Sequence, residues 1–94
     1  MIGGSGRVLP AGSVVTFLPA DGSDTVVFDE MTGRVHRLGG SAATIWASID
    51  GTRTTGEIVE TVAGVYDVDA EMVAADVVGV VGRFVELGLV LFEQ

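Results

Sequence analysis

His36, flanked by Arg34 and Arg37, is the single histidine of this 94-residue chain and the first residue to test for acid–base or metal chemistry. An imidazole serves as general base or metal ligand when a nucleophile, a carboxylate or a second imidazole shares the work. No Ser, Cys or second His stands at such a spacing, so His36 reads as a surface or groove residue. Asp67-x-Asp69-x-Glu71 alternates carboxylates as a calcium loop does, but it lacks the turn glycine and the closing glutamate. Its better account is the acidic start of a helix. Gly3-Gly4-Ser5-Gly6 precedes a strand rather than following one and has no lysine to reach a phosphate, so it fails as a nucleotide loop. These residues lead to the expectation of no catalytic group, no metal and no cofactor: a binding protein rather than an enzyme.

The charge balance narrows the partners. Five Lys and Arg stand against thirteen Asp and Glu, a net of −8. Such a surface repels phosphate backbones, so nucleic acid is a poor partner, none is expected, and a cationic peptide or basic protein surface is favoured. Cysteine is absent, which removes both a disulfide framework and a reactive thiolate and suits a cytoplasmic protein. Met1 to Pro10 has no basic segment followed by an apolar run, so no signal peptide is expected. The apolar runs fall far short of the ~20 residues that span a bilayer, so no membrane association is expected either.

The elements that would position a binding site follow from the pattern. Residues 1–12 are Gly-rich and read as a flexible segment, leaving 13–94 as the folded domain. Val14 to Leu18 and Thr25 to Glu30 are β-branched and aromatic runs separated by turn chemistry, and Met31-Thr32-Gly33 joins the second to Arg34–Leu38 at hairpin length. Gly39-Gly40 breaks the sheet, and Ser41 can cap a helix carrying Ala42, Ile45, Trp46 and Ile49, with Trp46 as a core anchor. Thr54 and Glu57 form a capping box ahead of Ile58, Val59, Val62 and Val65. A third helix runs from Asp69 to about Leu87, where Gly88 ends it, and Val90-Leu91-Phe92 can add a terminal strand. The class is α+β, a three-stranded antiparallel sheet followed by three helices.

The third helix carries more apolar surface than one small sheet can cover. Val73, Val77, Val80, Phe84 and Leu87 form one stripe, read as core. Ala74, Val78, Val81 and Val85 form another, centred roughly 110° away. Either the first two helices bury this second stripe, or part of it lines a groove. Gly79 and Gly82 on the small-residue side either permit a close approach or are tolerated. In a simple meander the Arg34–Leu38 strand is an edge with unpaired N–H and C=O groups, and such an edge accepts an added strand. An edge beside an apolar helix suits an extended peptide. Helix-turn-helix DNA binding remains as an alternative on architecture, although the second helix carries Glu57 and Glu60 and no basic residue. A different protein-interaction scaffold is the other.

The chain resembles the PqqD family, small domains that recognise leader peptides in ribosomal peptide natural-product (RiPP) pathways. The likeness spans about residues 14 to 91 and rests on Asp29-Glu30-x-Thr32-Gly33-Arg34, Leu38, Ile45-Trp46, Asp50-Gly51, Thr54-x-x-Glu57-Ile58, Tyr66-Asp67-Val68-Asp69, Asp76-Val77 and Gly88-Leu89. Gly39 departs from the family, which usually has Asn there. The resemblance implies a winged-helix-like fold in which a leader peptide pairs along the third strand against the third helix. Carried onto this chain, the leader-binding residues are Arg34, Val35, His36, Arg37 and Leu38 with Ala74, Val77, Val78, Val81 and Val85. It implies an adaptor that hands a precursor peptide to a RiPP maturation enzyme, a lasso-type leader peptidase or a radical enzyme. The acidic surface adds the expectation of Lys or Arg in the leader, with Asp69, Glu71 and Asp76 as counter-charges. On this reading Val78→Glu or Val81→Glu abolishes leader binding and leaves the fold intact.

Overall fold

Runs of β-branched and aromatic residues punctuated by turn residues fold the first half of the chain into strands, and helical spacing takes over after Gly39. The computed structural model describes residues 6–19 and 24–93. The elements in order are β1 (Arg7–Pro10), β2 (Val14–Phe17), β3 (Thr25–Asp29), β4 (Arg34–Leu38), α1 (Gly40–Ala47), α2 (Thr55–Tyr66), α3 (Ala70–Glu86) and β5 (Val90–Glu93). The expected three-stranded antiparallel sheet is present in the order β2-β3-β4. In β3 the period of two is plain: Thr25, Val27 and Asp29 are buried and Val26 and Phe28 half-buried. Register carries this face into β4, where Leu38 pairs with Thr25 and His36 with Val27. Val35 and Arg37 therefore alternate onto the outer face.

The start of the chain departs from expectation. Residues 7–10, read as part of a flexible segment, form β1 and pair antiparallel with β5, Val8 opposite Phe92 and Pro10 opposite Val90. Val8 is fully buried in the same core as Leu89 and Val90. The Val8 N–H donates to the Arg53 carbonyl at 2.9 Å and the Ala11 N–H to the Leu89 carbonyl at 2.9 Å. An ion pair between Arg7 and Glu93 closes the open end. A four-residue strand has too few residues to display a period, and its partner lies more than eighty positions away. The Gly3–Gly6 segment falls almost wholly outside the described residues.

Helix ends follow local chemistry, with one exception. In α2 the Thr54 side chain accepts from the Glu57 N–H at 3.1 Å and Glu57 accepts from the Thr54 N–H at 2.9 Å, completing the capping box. At the end of α3 the Leu89 N–H reaches the Phe84 carbonyl and the Gly88 N–H the Val85 carbonyl, a Schellman closure that needs Gly88 at φ +75°. The exception is α1. Ser41 lies inside it rather than capping it, and Gly39 occupies the cap position with no side-chain bond. A Cβ at Gly39 would lie 2.9 Å from Asp24 Oδ1, which gives a physical reason for glycine at this position.

The core is centred on Trp46. It is 6% exposed, meets Phe84 of α3 edge-to-face at 5.4 Å and 88°, and donates from Nε1 to Thr16 Oγ1 of β2 at 2.9 Å. One side chain thus ties α1, α3 and the sheet together, as expected of a core anchor. Removing its aromatic partner by Phe84→Ala should cost about 3–5 kcal/mol, read from denaturant unfolding midpoints.

Asp29 organises the β3–β4 turn from a buried position. Its Oδ1 accepts from the Ser13 hydroxyl at 3.0 Å and the Met31 N–H at 2.9 Å. Burial pushes the carboxyl up, but these bonds and those from Thr32 outweigh it and hold the group below its ordinary value of 3.8. A carboxyl depressed by folding contributes stability that is present above the ordinary value and lost as pH falls through the lower native one. Asp29→Asn should therefore melt below the native protein at pH 7, with the gap narrowing below about pH 4, in thermal scans across pH.

Candidate functional site

β4 pairs with β3 on one side only, so every second N–H and C=O along it is left without a strand partner. Beside that edge runs α3, held in place by the Trp46–Phe84 contact, and between them lies a groove of about 620 Å³. Val35, His36, Arg37 and Leu38 form one wall, Gly79, Val80, Arg83, Phe84 and Leu87 the other, and Ala42 of α1 adds to the lining. Leu38 and Phe84 are nearly inaccessible and belong to the core as well, so the groove has an apolar floor. Val80, Leu87 and Ala42 are half-buried, while Val35, Arg37 and Arg83 are exposed at its margins. His36 contributes a buried Nε2 that has no hydrogen-bond partner among the described residues. A polar atom so placed costs about 1–3 kcal/mol.

The strand wall contains four of the five β4 residues singled out from the sequence. Arg34 begins the strand and is exposed but does not line the groove. The helix wall differs from the expected stripe. Val77 and Val81 are fully buried core residues, and Ala74 is half-buried against that core. Val78 and Val85 are 39% and 38% exposed, yet neither lines the groove. At about 100° per residue Val78 projects some 160° from Val80, so the two flank opposite sides of the buried Val77–Val81 face. The groove instead takes the edge of the stripe read as core: Val80, Phe84 and Leu87. Asp69, Glu71 and Asp76 are exposed, and none of them lines it.

Gly79, Arg83 and Ala42 were not legible as site residues. A Cβ built on Gly79 meets nothing within 4 Å, so this glycine does not serve close helix packing; it leaves room in the groove. The same holds of contacts at Gly82. The available signal was the spacing of Gly79, Val80, Arg83 and Leu87, which places a small, two apolar and a cationic residue along one side of a helix. Among the described residues no group of His, Cys, Asp and Glu could hold a metal ion, and no helix is long and apolar enough to cross a membrane.

Val81→Glu should unfold the protein, because it puts an unpaired carboxylate into the fully buried core, whereas Val80→Glu should leave a cooperative fold. Gly79→Ala should raise stability by about 0.5–1 kcal/mol through helix propensity alone. Circular dichroism with denaturant titration checks all three.

Comparison with curated proteins gives no match. Two solved structures share the fold. TbiB1 in complex with the TbiA(beta) leader peptide aligns with a TM-score of 0.75 at 22% identity, over 87% of this chain and 93% of that one. Lasso peptide synthetase B1 complexed with the leader peptide aligns with a TM-score of 0.74 at 18% identity, over 90% of this chain and 98% of that one. The family model for coenzyme PQQ synthesis protein D (PqqD) matches residues 24–90, a span that contains β3, β4, all three helices and both walls of the groove. With most of its length inside that match, the chain belongs to the PqqD family.

Proposed function

We propose that this protein is a non-catalytic adaptor that captures the leader of a precursor peptide as an added strand on β4 and presents the attached core to a RiPP maturation enzyme. The observation that carries the reading is the unpaired edge of β4 lying directly beside an apolar-floored groove. Main-chain bonds along the edge supply affinity for any extended peptide, and the groove supplies selection among side chains. The five residues of β4 extend about 17 Å, enough for an added strand of comparable length with two or three side chains directed at α3. Two apolar side chains seated on Leu38, Phe84 and Leu87 would each contribute about 1.5–3 kcal/mol, before the cost of ordering the peptide.

Membership of the PqqD family supports this role, as do the two structural relatives, each solved with a leader peptide. The likeness to lasso peptide synthetase B1 favours a leader peptidase over a radical enzyme as the downstream partner. In this role the protein orients a peptide and leaves bond cleavage to that partner.

Titration of the leader of a precursor encoded beside this gene into isotope-labelled protein should move the amide signals of residues 35–38 and 79–87. Val80→Glu should weaken binding at least about tenfold, since the new carboxylate must be buried against apolar side chains or exclude the peptide. Saturable binding that leaves both segments unmoved would remove the groove from the mechanism. Mass spectrometry of the precursor after incubation with the protein alone should show no change in mass.

A further inference from the structure

The molecule carries a net charge of −8, yet its few cations are unevenly placed. All five are arginines. Arg7 is paired with Glu93 and Arg53 with Asp50. Arg34, Arg37 and Arg83 make no ion pair among the described residues; Arg37 and Arg83 line the groove from its two walls, and Arg34 opens the strand that forms one of them. Among the described residues none that lines the groove is acidic. The helix dipole accounts for a cation in the last turn of α3, which is where Arg83 stands, but not for Arg37 across from it on the strand.

Resting on the reading of the groove as a peptide site, we propose that it selects an acidic leader: an extended segment whose apolar anchors are flanked by Asp or Glu. This reverses the expectation drawn from net charge. A strand added to β4 alternates its side chains between the two faces of the sheet. Residues turned inward meet Val80, Arg83 and Leu87, and residues turned outward lie beside Val35 and Arg37. A carboxylate on either face therefore finds a cross-strand or cross-groove guanidinium, an arrangement that favours opposite charge. Of the described residues that line the groove only Arg37 and Arg83 are formally charged, so they set the sign of its walls.

The test is selection of a phage-displayed library of random peptides of about 12 residues on the native protein, with Val80→Glu as the groove-blocked control. Peptides retained by the native protein and lost on Val80→Glu should be enriched in Asp and Glu over the starting library. A selected peptide, made synthetically, should bind Arg37→Glu/Arg83→Glu about tenfold more weakly by calorimetry, and its Lys-for-Glu counterpart should bind that variant better than the native protein. The milder Arg37→Gln/Arg83→Gln pair gives a smaller loss in the same direction if the reversal perturbs folding. Groove-dependent peptides that are neutral or basic would overturn the acidic preference and leave the peptide-binding reading standing. Selection that yields no peptide sensitive to Val80→Glu would overturn both.

Discussion

The edge-to-face contact between Trp46 and Phe84, with the Trp46 indole N–H held by Thr16, is the constraint on which the remaining arrangement depends. An indole buried without a partner for its N–H would lose much of what its area gains, so the bond to β2 sets where α1 can lie. Phe84 then sets the distance of α3 from the sheet, and it is also part of the groove floor. The contact that stabilises the core is therefore the one that keeps the groove open at a defined width.

That architecture tolerates two local costs at one place. An edge strand leaves backbone groups without partners, and Gly79 forgoes helix propensity without any packing return inside the protein. Both fall on the groove, together with the orphaned Nε2 of His36. The pair β1–β5 answers the opposite need, since it sews the two ends of the described chain together away from the groove.

Charge shows why a whole-molecule property is a poor guide to a site. The excess of carboxylates is spread over the helices and turns, and their fields are screened over about 8 Å at physiological salt. The two arginines are the formally charged residues among those described that line the groove. Sequence composition counts every charge equally; a groove does not.

Much of the fold was determined by the sequence alone, because its signals are local. The alternation in Thr25–Asp29, the Thr54–Glu57 box, the Gly88 closure and the helical spacing of Ile45, Trp46 and Ile49 each act over a few residues, where steric and hydrogen-bonding preferences suffice. The edge strand wall, Val35 to Leu38, was legible for the same reason. Only the tertiary structure decided which flank of α3 faces the groove, that Val81 belongs to the core, that residues 7–10 find a partner in β5, and that Arg37 and Arg83 line the same groove. Each of these depends on how far one element is rotated about its axis or which distant segment it meets, and a 3.6-residue period records that a helix has an apolar face without recording what covers it.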